Sequence, residues 1–125
     1  MLDSVFRNVT GFTANRHLMS ALEVARLTSL IIANYPRCYW LLGLRSVRFG
    51  RNVFRNRNLV LGEVKGSDGL KTGHTKTGGY GLVATAQRGK HRLIMVINGL
   101  RRAAARRKET LRMFRWGFKQ LVVQE

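Results

Sequence analysis

Acidic residues are scarce in this chain: six Asp and Glu stand against 23 Lys and Arg, a formal net charge of +17 over 125 residues. Such an excess works against compaction by self-repulsion, and it suits anionic partners such as nucleic acid, anionic lipid or acidic polymers. A solvated basic surface accounts for the same charge. Cysteine is nearly absent; Cys38 stands alone, which rules out an internal disulfide and leaves the redox compartment open. With no second Cys, and His17, His74 and His91 scattered, no metal-ligand spacing exists, and no metal or cofactor is expected. Long apolar runs are missing too. The longest apolar-rich stretch, Leu18 to Ile32, is interrupted by Glu23 and Arg26 and falls short of a membrane span. The opening residues, Met1 to Asn8, carry an acid at Asp3 and no long apolar stretch, so no signal peptide is read there. The chain holds no internal repeat, low-complexity tract or linker, and its length predicts one domain.

Residues 1–17 lack periodicity and read as loop. Ser20-Ala21-Leu22-Glu23 has the spacing of a capping box, and Val24, Leu27 and Ile31 continue at helical intervals to Asn34. Pro36 opens a second short helix through Tyr39 to Leu42, closed by Gly43. Between 45 and 61, Arg45, Arg48, Arg51, Arg55 and Arg57 interleave with Val47, Phe49, Val53, Phe54 and Leu59. That pattern predicts one or two short strands with an exposed basic face, followed by a turn-rich link from Gly62 to Ser67.

Strands are predicted near 69–76, 80–88 and 91–99, the last two joined by a hairpin at Arg88-Gly89-Lys90. Leu82, Ala84 and Ala86 lie on one face of the first hairpin strand, with Val83 and Thr85 on the other. Leu93, Met95 and Ile97 oppose Ile94 and Val96 in the second. Both faces are apolar, which predicts a sheet covered on two sides. A closing helix from about Ala103 to Gln120 carries an apolar stripe of Ala104, Leu111, Phe114, Phe118 and Leu121. Arg101, Lys108, Arg112, Arg115 and Lys119 form its opposite, basic face, and Trp40 and Trp116 read as packing anchors.

Chemistry concentrates in Asp68-Gly69-Leu70-Lys71-Thr72-Gly73-His74-Thr75. Lys-Thr-Gly alone is frequent by chance, although it is one of three elements of serine enzymes that react with penicillin. Here it is followed by Gly79-Tyr80-Gly81-Leu82-Val83-Ala84-Thr85-Ala86 and Arg92-Leu93-Ile94, and preceded by Asn56-Arg57-Asn58. Further upstream come Gly11-Phe12 ahead of the Ser20-Ala21 helix start, and Tyr35-Pro36 leading into Tyr39. In that order, over roughly Asn8 to Phe118, the chain resembles the C-terminal half of the catalytic domain of serine-type D-alanyl-D-alanine carboxypeptidases, the low-molecular-mass penicillin-binding proteins.

The resemblance implies an α+β fold, an antiparallel sheet meander with covering helices, part of the β-lactamase/penicillin-binding transpeptidase-like fold. Residues 1–125 would be a single partial domain: 8–45 the end of a helical subdomain, 46–125 the sheet strands and closing helix. It implies substrate-binding roles for Lys71, Thr72, Gly73 and His74. Lys71 would attract the terminal carboxylate of a peptidoglycan stem peptide or a β-lactam, and Thr72 would offer it a hydroxyl. Gly73 would admit the ligand close to the main chain, and the His74 amide would be one oxyanion donor.

No catalytic residue is assigned in this chain. Acyl transfer to serine needs a nucleophile with a base in reach, which the family supplies through Ser-x-x-Lys. Ser4, Ser20, Ser29, Ser46 and Ser67 are followed three positions later by Arg7, Glu23, Ile32, Phe49 and Leu70, and no Ser-x-Asn occurs. The chain is therefore expected to be inactive alone, as a fragment or the product of a split or decayed gene, and to expose an apolar face. A chain carrying the missing N-terminal half is an implied partner, and the periplasm or the outer face of the cytoplasmic membrane the implied location. Two rival readings are a basic nucleic-acid-binding protein, from the charge and the Arg-aromatic interleaving, and a non-catalytic partner of a full-length penicillin-binding protein. An anionic membrane surface is a further possible contact of the basic helix face.

Overall fold

Three antiparallel strands carry the core: β3 (Ser67–Thr75), β4 (Gly79–Arg88) and β5 (His91–Leu100), in the order β3-β4-β5. The computed structural model describes residues 2–123; Met1 and positions 124–125, the outermost residues of the expected domain, lie outside the described residues. The strands form where the sequence alternates, and the β4–β5 register pairs Leu82 with Ile97, Ala84 with Met95 and Ala86 with Leu93. This apolar face is covered by α3 (Ala103–Val123), whose Phe114 and Phe118 pack with Val60 and Val64 from the preceding turns. Burying Phe114 at 1% exposure contributes roughly 2–3 kcal/mol by transfer alone. The helix buries Thr110 and Phe114 on this side, whereas Ala104, expected in the apolar stripe, is exposed at the helix start. The basic face of Lys108, Arg112, Arg115 and Lys119 is exposed as expected.

The other sheet face holds Val83, Thr85, Ile94 and Val96. Thr85 is buried beneath Tyr39, but Val83, Ile94 and Val96 are only half-buried, so cover on this side is partial. Contributing to it is α1 (Ala21–Asn34), which packs against β5. Ser20 caps α1, its hydroxyl oxygen accepting from the Glu23 amide at 3.3 Å. The positions α1 buries are Glu23 and Thr28; Val24 and Ile31 are half-buried and Leu27 is exposed, which corrects the stripe expected from spacing. Both polar groups are satisfied and so tolerate burial. Glu23 accepts hydrogen bonds from the Asp3 amide at 3.1 Å and from the Ser4 hydroxyl, while the Thr28 hydroxyl donates to the Val24 carbonyl at 2.8 Å. The Ser4 hydrogen bond, foremost, holds the Glu23 carboxyl below its ordinary pKa against the opposing effect of burial. Residues 2–19 are loop, tied by one bridge between Val5 and Leu18.

After α1, α2 (Pro36–Tyr39) starts on its proline and runs into a 3-10 turn, Trp40–Gly43. The segment expected as basic strands is a hairpin of β1 (Ser46–Phe49) and β2 (Asn52–Arg55), every residue of which is exposed. Trp40 and Trp116 are not packing anchors. They are 59% and 65% exposed, because Trp40 sits on the outer side of the 3-10 turn and Trp116 on the outer face of α3.

Candidate functional site

Lys71, Thr72, Gly73 and His74 lie consecutively on β3, paired on one side to Val83, Leu82, Gly81 and Tyr80 of β4. No strand pairs with the outer edge of β3 among the described residues. Along it runs a cleft of about 720 Å³, lined by residues 71–75, Tyr80, the loop Thr10–Thr13, Arg57 and Arg106. Three cations and no carboxylate face this space, so its field favours an anion. An unpaired strand edge can accept an extended peptide as an added strand.

Lys71 is exposed, with its ammonium donating to the Thr72 carbonyl at 2.5 Å. Arg106 reaches across from the start of α3, donating through Nη1 to the Gly73 carbonyl at 3.4 Å. Its guanidinium lies 5.2 Å from the centre of the Tyr80 ring. The His74 ring stacks on the same tyrosine, 4.0 Å between centroids and 26° between planes. At Gly73 an added Cβ would meet no atom within 4 Å, so the main chain there is open to a ligand. No serine lines the cleft; its hydroxyls belong to threonines and Tyr80. Among the described residues no cluster of His, Cys, Asp and Glu could hold a metal ion. The arrangement can bind an anionic, extended ligand and supplies no activated nucleophile.

The start of β3 is pinned by a polar network on the far side of the sheet. Arg92 donates from Nη1 and Nη2 to the two oxygens of Asp68, at 3.0 and 2.7 Å. The Thr85 hydroxyl donates to Asp68 Oδ1 at 2.7 Å, and the Tyr39 hydroxyl, 3.4 Å from the same oxygen, also contacts Thr85. The Asp68 hydrogen bonds raise the Arg92 pKa, and burial, the largest effect on Tyr39, raises that of its hydroxyl. From the opposite direction Asn58, 3% exposed, donates to the Gly69 carbonyl at 2.9 Å. Packing favours glycine at position 69, since a Cβ would lie 2.7 Å from the Tyr39 hydroxyl and force a shift. Two residues later comes Lys71.

Residues 1–101 match the family described as D-alanyl-D-alanine carboxypeptidase. The chain belongs to that family. It is 36% identical over 116 residues to the D-alanyl-D-alanine carboxypeptidase DacD of Escherichia coli, covering 92% of this chain and 30% of that protein. It thus spans about a third of the length of the curated relatives it matches. Penicillin-binding protein D2 of Listeria monocytogenes, in its cefotaxime-bound form, superposes with a TM-score of 0.85 at 27% identity, covering 92% of this chain and 48% of that one. For penicillin-binding protein 6B of Escherichia coli the TM-score is 0.73 at 37% identity, over 78% of this chain and 31% of the other. The antiparallel sheet with its helices is the α+β fold of the penicillin-binding proteins.

Sequence reading of this carboxypeptidase-family chain marked Lys71 to His74 and missed Arg106 as a cleft residue. A signal was available. Arg106 precedes the buried Thr110 and Phe114 by four and eight positions, which places a cation on the inner side of α3 while Lys108, Arg112, Arg115 and Lys119 point outward. Arg57 and Gly11-Phe12 entered as blocks of the resemblance, and Arg57 in the basic interleaving, without being assigned to the cleft, and no local pattern ties the Thr10–Thr13 loop to β3.

Proposed function

We propose that this chain carries the substrate-recognition strand of a serine-type D-alanyl-D-alanine carboxypeptidase acting on peptidoglycan stem peptides outside the cytoplasmic membrane. The observation that carries the reading is the open edge of β3: Lys71, Thr72, Gly73 and His74 border a cleft whose ionic groups are all cationic. In this role the free carboxylate of a D-Ala-D-Ala terminus, or of a β-lactam, sits between Lys71, Arg106 and the Thr72 hydroxyl. The peptide main chain lies along β3 past Gly73, and the His74 amide donates to the oxyanion as the scissile amide is attacked. Residues 8–45 act as the end of the helical subdomain, and 46–125 as the sheet and its closing helix.

The attacking hydroxyl and its base come from a Ser-x-x-Lys that these 125 residues do not contain. The chain by itself therefore binds without turnover. A fluorescent penicillin is expected to leave no covalent label on it after denaturing electrophoresis, and a stable adduct would overturn the inactivity. Titration with N-acetylated D-Ala-D-Ala dipeptide, followed by amide NMR shifts, is expected to perturb residues 71–75 and Tyr80. Lys71→Ala and Arg106→Ala should each weaken that binding by roughly tenfold, the effect of a lost charge-assisted hydrogen bond. Shifts confined to other regions would remove the assignment.

A further inference from the structure

Within residues 60–121 one large apolar side chain is left in water, and it is Trp116 at 65% exposure. It lies on the outer face of α3 in one row with Lys108, Arg112, Arg115 and Lys119, all exposed. Their spacing of four, three and four residues keeps them on one side of the helix, over roughly 16 Å of its length. Among the described residues, Glu109 opposes this charge locally, through its ion pair to Arg112 Nε at 2.8 Å. Among the described residues Lys108, Arg115 and Lys119 have no carboxylate partner.

The inner face of the same helix is fully engaged with the sheet, so the row is not a spare half of the core. The cleft along β3 is lined by other residues, so the row lies outside it. An exposed indole flanked on both sides by cations is the composition that settles at a headgroup interface. The ring enters the boundary and the cations meet phosphates. The exposed indole beside the cations favours a lipid headgroup interface over duplex nucleic acid, whose phosphates are met by cations alone.

We infer that the outer face of α3 is a docking surface for an anionic lipid bilayer, with Trp116 entering the interface and Arg112, Arg115 and Lys119 holding headgroup phosphates. This is independent of what the β3 cleft binds. The test is sedimentation of the full chain with vesicles of equal parts phosphatidylglycerol and phosphatidylcholine. Fluorescence is read in a Trp40→Phe background, so that Trp116 alone reports. The expected result is co-sedimentation that falls with salt, a blue shift of Trp116, and no retention on pure phosphatidylcholine. Changing Arg112, Arg115 and Lys119 together to Gln should weaken partitioning at least tenfold, since each surface cation contributes about 1 kcal/mol on an anionic leaflet. Far-UV circular dichroism checks that the variant is folded, and the Trp116 shift in the parent stands regardless. Undiminished binding of the triple variant, or sedimentation with no Trp116 shift, would overturn the inference. So would a Trp116 shift on duplex DNA with none on vesicles, or loss of vesicle binding on Leu22→Ser with Leu30→Ser instead.

Discussion

Residues 60–121 and residues 2–59 are nearly equal in length and opposite in how they treat apolar side chains. The first stretch supplies Val60, Val64, Leu82, Ala84, Ala86, Met95, Phe114 and Phe118 to one core cluster, and exposes Trp116. The second buries Tyr39 and leaves Phe6, Phe12, Leu22, Leu30, Phe49 and Phe54, among others, more than half exposed. A meander with a helix across it closes its own core, whereas a helix, a loop and a two-stranded hairpin cannot. These exposed side chains belong to the part of the chain that reaches the sheet through α1, Tyr39, the 3-10 turn and Asn58. The cleft lies where the two stretches meet: β3, Tyr80 and Arg106 come from the packed part, Thr10–Thr13 and Arg57 from the open one.

Core truncation breaks this contrast most sharply. Phe114→Ala should lower unfolding free energy by about 3–5 kcal/mol, whereas Phe49→Ala on the hairpin should change it by less than about 0.5 kcal/mol; urea unfolding curves of the two variants measure the difference. Equal losses would mean that the hairpin is packed after all. Next in size is the network under β3. Asp68→Ala leaves Arg92, Thr85 and Tyr39 without their acceptor and should cost about 2 kcal/mol, a value reduced for the partial exposure of the pair. The same variant should perturb the amide resonances of Lys71 and Thr72. Gly69→Ala, which forces a methyl group against the Tyr39 hydroxyl, should cost roughly 1–3 kcal/mol in thermal unfolding.

A smaller, pH-dependent effect sharpens the comparison on the open side. Hydrogen bonds from Ser4 and Asp3 favour the ionised Glu23, so its folded pKa lies below its unfolded one. The stabilisation is present above the ordinary carboxylate range and is lost as pH falls through the lowered folded value. Hydrogen exchange at the Asp3 amide should therefore lose protection at acid pH ahead of the β4 and β5 amides. Glu23→Gln should remove that pH dependence. Uniform loss across both regions would show that the loop and sheet open together.

Much of the fold was legible because its signals are local. Alternation over 80–99 with a short turn, Ser20 ahead of a helical period, Pro36 at a helix start and the apolar spacing of Leu111, Phe114 and Phe118 each reflect a backbone preference set by neighbours in sequence. The misreadings share one cause. The burial of Glu23, the exposure of Leu27 and the exposure of Trp40 and Trp116 depend on what lies opposite each side chain, and hydrophobicity does not encode that. For the cleft, four consecutive residues on one strand could be named from their motif, but Arg106 and Thr10 reach it from 33 residues downstream and 63 upstream of Gly73.

Residue order alone determined the basic charge, the positions of the strands and helices, the family motif, and the absence of a serine three residues before a lysine. These follow from composition and spacing, which need no partner in space. Only the tertiary structure decided that the edge of β3 stays open, that its cleft is ringed by Arg57, Lys71 and Arg106, and that Asp68 is held by Arg92, Thr85 and Tyr39. Such contacts join residues far apart in the chain, and their energies exist only once the sheet has brought those groups within hydrogen-bond reach.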